Sequence, residues 1–388
     1  MKNKLDVLFL PLHRYVSFRY GSESALAMNF LKAVLRLSPN TLAVTGLSEI
    51  KDEELKPHII DMHISTDRTP FNDFKFYLKL LIIKLTFKSK VIHHLFPFGF
   101  KLGFNLVFLT PKFGSKYVIG PLLYPIFEDE PNLWVKLGHV KKVINYDNLL
   151  LRKTLNILNK LTLLRADFLI FDSEETRNLY LSYLPSLSNK KYAIIPGVVS
   201  DIFFKPRQEV VDRQFVKFGI VSNLVPRKRV DVAIKAMSIL KAKNALLFIV
   251  GTGPEEVKLR KLVKELELED RVKFLGKLNH QDLPSFYHEM DVIIALDPTP
   301  VLVAASRQEA LASSCAIIAG DKSVSIKQLP YGYLVNSDDP SAVAEAITLL
   351  SHDISSLTLM QKEGRKVAEN LLSISAVASK FREIYSSL

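Results

Sequence analysis

The sequence has very little cysteine, with Cys315 as the single example among 388 residues. One cysteine excludes an internal disulfide framework and any cysteine-rich metal site. A chain without disulfides fits a reducing compartment, so we expect a cytoplasmic protein.

Long uninterrupted apolar runs are also missing. No window reaches about 18 apolar residues, the length at which a membrane-spanning helix is expected. The first twelve residues, MKNKLDVLFLPL, start with a basic group, but their short apolar part contains Asp6 and runs into Pro11. We interpret this stretch as a buried first strand rather than a signal peptide.

Acidic residues are fewer than basic ones, 40 against 52, which gives a formal net charge of +12. A basic surplus implies an anionic partner, such as nucleotide phosphates, an anionic membrane face or nucleic acid. The sequence lacks zinc-finger spacing, an aromatic-basic RNA signature and a long basic tail. We therefore expect no nucleic-acid partner, while the charge alone does not choose between the other anions.

What the sequence does contain is enough apolar material for more than one core. Hydrophobic residues make up 48% and charged residues 24%, which is a globular composition. A chain of 388 residues is too long for one ordinary core, so its length indicates two domains. Two long segments alternate short β-branched runs with helical patterns, which is typical of parallel sheets covered by helices on both faces.

The first segment predicts an α/β domain over residues 1–200. It opens with a strand from Leu5 and a helix after Gly21, and six further strands follow. These are predicted at residues 41–45, 59–64, 91–95, 117–119, 168–171 and 192–195.

The second segment predicts another α/β domain over residues 201–369. Its strands begin near Val216, Ala245, Val272, Asp291 and Ala316, and a long helical pattern follows from about residue 355. The polar, irregular residues 197–214 are the predicted linker. Ligands of open α/β sheets bind at the carboxyl ends of the strands, so we expect the site in a cleft between the two sheets.

A glycine-rich turn ends one of the strands in the second segment. In Gly251-Thr-Gly253-Pro254, the glycines allow a close backbone approach, and the proline suits a first helical turn. The helix N-terminus that follows favours anions. A phosphate or sugar contact and a purely structural turn both explain this pattern.

Three adjacent cations, Arg227-Lys228-Arg229, stand where another strand leads into a helix. Cations at a helix N-terminus are unfavourable because the helix dipole is already positive there, so an anion should offset them. A diphosphate held by Lys228 and one neighbouring arginine is the functional interpretation. A solvated charge cluster is the alternative.

Glu309 is an isolated carboxylate in the nearly uncharged run VLVAASRQEALASSCAIIAG. We predict that it opens a helix at a strand's carboxyl end, where it could accept hydrogen bonds from ribose or sugar hydroxyls. An N-terminal cap interaction is the alternative, because a carboxylate in a first helical turn is favoured whatever its function.

Other candidates are the histidines and a lysine-rich helical stretch. His93 and His94 follow a buried run. His93 is a candidate site residue, and a core histidine with its hydrogen bonds satisfied is the alternative for at least one of the two. His280 and His288 lack metal-ligand spacing and are predicted as surface or helix residues. Residues 74–90 place their lysines on opposite sides of a helix, which predicts a mostly buried helix with snorkelling lysines. Membrane docking through the basic surface of the first domain stays open.

Seven motifs, in order, resemble the retaining GT-B glycosyltransferases of the group 1 class, glycosyltransferase family four. The resemblance covers residues 165–350 well, and the first half matches only in its fold pattern, the Gly21 loop and the VIHH run ending at His94. The motifs are RADFLIFDSEETR from Arg165, IPGVVSDIFFKP from Ile195, the run from Ser222 to Lys228, VGTGPE from Val250, RVKFLG from Arg271, LPSFY from Leu283 and EALA from Glu309.

The resemblance implies a GT-B fold, with two Rossmann-like, doubly wound parallel-sheet domains that face a central cleft. It implies a last helix, at about residues 370–388, that packs back on the first domain. The second domain would bind a nucleotide-sugar donor, linked to UDP, GDP or ADP, and the first an acceptor. No cofactor or metal is expected, because positioning and charge stabilisation can perform this transfer.

The resemblance also implies site residues. Lys228, Glu309 and His93 are the predicted catalytic residues, with Lys228 on the donor diphosphate and Glu309 on the nucleotide ribose. Donor-binding residues are predicted at Asn223, Arg227, Lys228, Gly251, Gly253, Pro254, Gly276, Arg307 and Glu309. Acceptor-binding residues are predicted at Gly21, His93 and Gly120.

This chain departs from the family pattern at several positions. The first glutamate of the family's pair stands eight residues before Glu309, where this chain has Val301, and the Gly-Phe-Gly turn beside it is replaced. Asn223 takes the place of the arginine that accompanies Lys228, for which Arg227 or Arg229 could substitute. A GT-B protein that has lost transfer and acts as a binding or regulatory subunit is therefore the alternative.

The sequence thus predicts a retaining hexosyltransferase that moves a sugar from a nucleotide-sugar to a glycan or lipid-linked acceptor. Polysaccharide synthesis or the assembly of a protein glycan is the implied setting. We expect it in the cytoplasm, and the inner face of the membrane is a second expected location. A phosphorylase of the same fold is a further alternative.

Overall fold

The computed structural model describes residues 4–17, 21–50, 52–64, 70–95, 105–123, 149–207, 214–240 and 244–388. The chain divides into two compact units, each with its own sheet. The first unit comprises residues 1–198 together with residues 374–388, and the second comprises residues 199–373.

The first unit is built on a seven-stranded sheet in the order β3-β2-β1-β4-β5-β6-β7. Every pair of neighbouring strands is parallel. The strands are β1 Leu5–Ser17, β2 Thr41–Glu49, β3 Ile59–Asp61, β4 Ser89–His94, β5 Lys116–Leu122, β6 Phe168–Phe171 and β7 Lys191–Ile194. Most of their apolar side chains are buried, as expected for a parallel sheet that helices cover on both faces.

Helices form two layers on this sheet. Alternate residues of β1 face opposite sides, so Phe9 packs with the last helix while Leu8 packs with the layer formed by the second, third and fourth helices. The rings of Phe30 and Phe381, from the first and last helices, are 5.7 Å apart. The helices are α1 Gly21–Leu35, α2 Pro70–Thr86, α3 Leu106–Leu109, α4 Leu149–Arg165, α5 Glu174–Tyr183 and, at the end of the chain, α12 Ile374–Ser386.

The sequence-based expectation for α2, a mostly buried helix with snorkelling lysines, is wrong on its outer side. Its inner side chains Phe76 and Leu80 are buried, but four large apolar side chains, at positions 74, 78, 82 and 85, are exposed. Lys84 does not snorkel either. Its ammonium is buried and donates hydrogen bonds to the Pro111 carbonyl at 2.7 Å and the Tyr117 hydroxyl at 2.6 Å.

The second unit has a seven-stranded sheet in the order β10-β9-β8-β11-β12-β14-β13, parallel except for the last pair. The strands are β8 Val216–Val221, β9 Ala245–Val250, β10 Val272–Gly276, β11 Val292–Ala295, β12 Ala316–Gly320, β13 Ile326–Leu329 and β14 Gly332–Val335. The antiparallel β13–β14 hairpin has no counterpart in the sequence prediction. Its first strand is short and partly exposed, so it lacks the apolar signal of a buried strand.

The helices of the second unit lie between its strands and after them. They are α6 Val230–Ile239, α7 Glu256–Glu265, α8 Leu283–Glu289, α9 Ala305–Ala312, α10 Pro340–His352 and α11 Ile354–Leu371. The helical pattern predicted from residue 355 is two helices, α11 and α12, which belong to different units. Among the described residues, no helix combines the length and the apolarity that crossing a bilayer requires.

Candidate functional site

The candidate site lies at the edge of the second sheet where parallel strands end. Strands β9, β8 and β11 are neighbours and run in the same direction, so the loops that follow them share one edge. Open α/β sheets bind ligands at this edge. The loops hold the glycine turn at residue 251, the cations at 227–229 and the segment that leads to Glu309.

The glycines after β9 are required by the packing of the loop. A Cβ on Gly251, which has a φ of +133°, would stand 1.8 Å from the Ser222 carbonyl oxygen. A Cβ on Gly253 would stand 2.3 Å from the Leu224 carbonyl oxygen. Both glycines therefore let the loops after β8 and β9 touch, which is the structural interpretation of this motif. A contact with the donor stays a prediction.

Two other predicted donor-binding residues, Pro254 and Gly276, lie close to this turn. Pro254 precedes α7 by two residues and lies outside the first helical turn for which the sequence predicted it. Gly276 ends β10 with a φ of +71°, and a Cβ there would meet open space. Backbone conformation rather than crowding thus accounts for this glycine. A contact of Gly276 with the donor stays a prediction.

The three cations have different partners. Lys228 Nζ is 3.1 Å from Asp297 Oδ2, and Arg229 Nη2 is 2.6 Å from Asp338 Oδ1. Two of the three are therefore offset by carboxylates of the same unit, where the sequence argument expected an external anion. Arg227 is half-buried, and no ion pair joins it to a residue that the structure describes.

Asp297 is a site residue that the sequence interpretation missed. It follows β11, is 2% exposed and lies between Lys228 and Arg307, whose Nη2 is 3.5 Å from Asp297 Oδ1. Burial raises the pKa of Asp297, but the charges of Lys228 and Arg307 overcome that effect and hold it well below its usual range. The carboxylate is therefore ionised. Burial lowers the pKa of Lys228, against the opposing effect of Asp297.

Arg307 was predicted to contact the donor, and the structure gives it another place. Its side chain is fully buried and donates to the carbonyls of Ala295 at 2.7 Å and Thr299 at 3.0 Å. Its guanidinium thus ties the loop after β11 together from inside. Arg307 reaches a ligand only through Asp297 and the loop, so we correct its role from direct contact to positioning.

Glu309 lies in the second turn of α9, since the helix begins at Ala305. The prediction that it opens the helix is wrong, and with it the alternative of an N-terminal cap. Its Oε2 accepts a hydrogen bond from the Tyr287 hydroxyl at 2.9 Å, and its Oε1 is 3.3 Å from His280 Nε2. Burial and the Glu309 charge raise the pKa of Tyr287, which keeps this hydroxyl protonated.

His280 was predicted as an ordinary surface or helix residue, but it borders Glu309. Its ring also packs edge-on against Phe203, with centroids 5.3 Å apart. Neither Tyr287 nor His280 could be found from spacing, because they join Glu309 from a different helix and loop. A weak signal existed for Asp297, which is the first charged residue after a buried apolar strand.

His93 was predicted as a catalytic and acceptor-binding residue, and its environment contradicts this. It is fully buried in the first unit, with Nε2 2.7 Å from the Gly120 carbonyl and Nδ1 2.8 Å from the Tyr385 hydroxyl. The carbonyl can only accept, so Nε2 donates to it and Nδ1 accepts from Tyr385. Burial lowers the pKa of His93 to about 4, which keeps it neutral and structural.

Gly120, another predicted acceptor residue, has a structural reason to be glycine. Gly120 is inside β5 rather than in a loop, and a Cβ there would stand 2.1 Å from the Ile170 carbonyl of β6. Gly21 is the first residue of α1. Asn223 is exposed in the loop after β8, next to the cations. Acceptor binding by the two glycines and donor binding by Asn223 stay predictions.

Metal ligands were not expected from the sequence. Among the described residues, no group of three or more His, Cys, Asp or Glu side chains is placed to hold a metal ion. The prediction that the reaction uses no metal stays a prediction.

The two parallel-sheet α/β units, taken with their structural relatives, define the GT-B fold. The protein aligns with the structure of Anabaena HepE in complex with UDP at a TM-score of 0.64 and 15% identity, over 99% of this chain and 100% of that one. This likeness concerns the fold.

Sequence comparison is more specific for the second unit. Residues 201–367 match the family model described as glycosyl transferases group 1. The match covers less than half of the chain, and within that region the chain is similar to the group 1 glycosyl transferases.

Two relatives are examples of this sequence similarity. The chain is 28% identical over 236 residues to an exopolysaccharide phosphotransferase of Streptomyces coelicolor, over 58% of this chain and 24% of that protein. It is 27% identical over 221 residues to a GDP-mannose-dependent alpha-(1-6)-phosphatidylinositol monomannoside mannosyltransferase of Mycobacterium tuberculosis, over 52% of this chain and 57% of that protein. The chain therefore spans between about a quarter and somewhat more than half of the length of these relatives.

Proposed function

We propose that the protein is a glycosyltransferase that takes a hexose from a nucleotide-sugar bound at the strand ends of its second unit. The observation that carries this proposal is the cation cluster after β8, which lies in the group 1 region. Lys228, Arg227 and Arg307 surround a single carboxylate, Asp297, and all three lower its pKa. Three cations and one carboxylate leave an excess of two positive charges, which suits a diphosphate.

Arg227 and Lys228 have different tasks in this proposal. Arg227, which has no ion-pair partner among the described residues, is free to bind the diphosphate directly. Lys228 is held by Asp297 at 3.1 Å and is 19% exposed, so its ammonium is fixed in place before the donor arrives. A cation that is positioned in advance stabilises the developing charge on the leaving diphosphate without reorganising.

The transfer itself needs positioning more than a protein nucleophile. The bond between the anomeric carbon and the phosphate oxygen breaks, and its electron pair leaves with the diphosphate. The acceptor hydroxyl oxygen bonds to the same carbon, and its proton passes to the departing phosphate. Because the phosphate guides the acceptor onto the face that it leaves, the configuration at the anomeric carbon is retained.

Glu309 would orient the donor's nucleotide through its carboxylate. Tyr287 donates to one of its oxygens. The other oxygen is 3.3 Å from His280 and keeps the capacity to accept a further hydrogen bond from a ribose hydroxyl, because a carboxylate oxygen accepts more than one. The acceptor would be a glycan or a lipid-linked sugar. The Mycobacterium relative, whose name specifies a GDP-mannose donor and a phosphatidylinositol mannoside, supports an acceptor of this kind.

A second candidate function is a binding or regulatory subunit without transfer. Val301 stands where the family has the first glutamate of its pair, and Glu309 and Lys228 both have partners inside the unit. Such a protein would bind the nucleotide but would not turn the donor over.

Titration calorimetry with UDP, GDP and ADP, and with their sugar conjugates, tests the proposal. The glycosyltransferase predicts binding of one nucleotide series, and release of free nucleotide from the matching sugar donor when glycan or lipid-linked acceptors are added. Binding without turnover would favour the subunit, and phosphate-dependent release of a sugar phosphate would indicate a phosphorylase. Absence of binding to every nucleotide would overturn the proposal.

A further inference from the structure

The outer sides of α2 and α4 carry an apolar surface that no part of the proposed reaction uses. On α2, Phe74 is 62% exposed, Leu78 45%, Ile82 54% and Leu85 64%. Their spacing of four, four and three residues places all four on one side of the helix. On α4, Ile157 is 58% and Leu161 45% exposed, one helical turn apart. We call these six side chains the apolar patch.

The two helices belong to one layer of the first unit. Helix α3 contacts both α2 and α4, and the buried side chains of all three pack together against the sheet. Phe113, in the turn after α3, is 73% exposed, and its ring lies 5.6 Å from the Lys84 ammonium of α2. The four exposed side chains of α2 thus form one continuous stripe, and the exposed pair on α4 belongs to the same layer of helices. Contiguous exposed apolar surface of this kind marks an interaction site.

Basic residues accompany the apolar patch. Helix α2 contains one aspartate and three lysines, of which Lys84 is buried, and α4 contains two lysines and two arginines with no acidic residue. Lys75 on α2 and Lys153 on α4 are exposed, as is Lys88, two residues beyond the end of α2. Long lysine side chains can reach phosphate groups beside a layer into which apolar side chains insert.

We infer that the apolar patch docks the protein on the surface of an anionic phospholipid bilayer. Phe, Leu and Ile beside lysines are the combination that interfacial helices use, with the apolar side chains at the boundary between headgroups and acyl chains. Protein interfaces instead favour Tyr, Trp and Arg and contain little lysine. A second copy of this chain is disfavoured, because two surfaces with a basic surplus would repel one another.

This inference does not rest on the proposed function, because the patch is in the first unit and docking needs no donor. We would measure co-sedimentation of the full chain with vesicles of phosphatidylglycerol mixed with phosphatidylcholine, and with vesicles of phosphatidylcholine alone. Binding is expected on the mixed vesicles and should weaken as salt is raised, because exposed charges are screened. On phosphatidylcholine alone, binding should be much weaker.

The key variant is Ile82→Glu combined with Leu85→Glu, which removes two patch side chains and adds negative charge. We expect its affinity for the mixed vesicles to fall by about tenfold or more. The matched control is Val257→Glu combined with Leu359→Glu, which changes two side chains in the second unit that are 82% and 60% exposed. The control should bind as the wild-type protein does. Ile82→Gln combined with Leu85→Gln should also bind less tightly, although it adds no charge.

Three results would overturn the inference. The first is a wild-type protein that does not sediment with the mixed vesicles at low salt. The second is a folded patch variant, with an unchanged melting temperature, that binds as tightly as the control. The third is a wild-type dimer that the patch substitutions convert to a monomer, because the patch would then be an interface between copies of the chain.

Discussion

Lys228 Nζ and Asp297 Oδ2 form an ion pair of 3.1 Å at the strand ends of the second sheet, and both side chains are mostly buried. The pair joins the loop after β8 to the loop after β11, and Nη2 of Arg307, in the first turn of α9, is 3.5 Å from the same carboxylate. Lys228 shares the single carboxylate of Asp297 with Arg227 and Arg307, so the cluster keeps a net positive charge. Its position is fixed by the fold rather than by the ligand, which is the arrangement that charge stabilisation of a leaving group requires.

Lys228→Ala should weaken nucleotide binding by roughly tenfold to a hundredfold, the usual effect of losing a hydrogen bond to a charged group. Calorimetry with the nucleotide that the wild-type protein binds would measure it. The control is Lys235→Ala, which removes an exposed lysine 3.3 Å from Asp231 and should leave binding unchanged. Equal loss of binding in both variants would contradict the assignment, and so would a loss that only follows a lower melting temperature.

Asp297→Asn should destabilise the second unit by about 3 kcal/mol, because it leaves buried cations without their counter-charge. The pKa of Asp297 is lowered in the folded protein. The ion pair therefore stabilises the fold above the ordinary carboxyl pKa, and this stabilisation is lost as the pH falls through the folded-state value. Urea unfolding at a series of acidic pH values should show a shallower decline for Asp297→Asn than for the wild-type protein. Parallel declines would show that Asp297 does not titrate as we infer.

Glu309→Gln should weaken nucleotide binding by about tenfold, because the amide replaces one acceptor oxygen with a donor group. Tyr287 and His280 would remain beside it, so the fold should change little. Glu289→Gln, an exposed carboxylate on α8, is the matched control. The prediction is wrong if calorimetry gives the same affinity for both variants.

His93→Phe should destabilise the first unit by about 1–3 kcal/mol, because the buried Gly120 carbonyl loses its donor. Burial lowers the pKa of His93 to about 4, whereas an unfolded histidine titrates near 6.5. The unfolded chain thus binds more protons between these values, so the wild-type protein should lose stability as the pH falls from about 6.5 to about 4. In His93→Phe that decline should be smaller.

The same variant distinguishes structure from catalysis at His93. A structural role predicts that turnover falls only in proportion to the folded fraction. A selective loss of turnover in fully folded His93→Phe protein would restore the catalytic assignment. Denaturant unfolding and turnover should be measured on the same samples.

Much of the architecture followed from the sequence. Short buried runs such as those of β6 and β11 are apolar on both faces, which only a covered parallel sheet explains. The β13–β14 hairpin escaped prediction because both strands have only four residues and β13 is partly exposed, so the hairpin has almost no periodic signal. The exposed side of α2 escaped it for another reason. An apolar stripe on a helix predicts that this side is buried. The sequence alone does not tell whether another segment of the chain packs against it.

Site residues were predictable only where the signal lies within one short segment of the sequence. Lys228 was found because cations at the start of a helix are unfavourable beside the helix dipole, and Glu309 because it is the single carboxylate in a nearly uncharged run. Asp297, Tyr287 and His280 were missed as partners because each meets its counterpart from another loop or helix. His93 was misjudged because a titratable side chain has the same sequence signature whether it faces water or a carbonyl.

By itself, the sequence determined two parallel α/β units, a basic surplus and the positions of the cations and glycine turns, because periodicity and charge are local properties of a chain. Tertiary structure alone decided that Asp297 pairs with Lys228, that Arg307 is enclosed, that His93 is held neutral and that α2 leaves its apolar side uncovered. Each of these depends on which distant segment comes within a few ångströms. Burial and pairing are fixed by that approach and by nothing in the local order of residues.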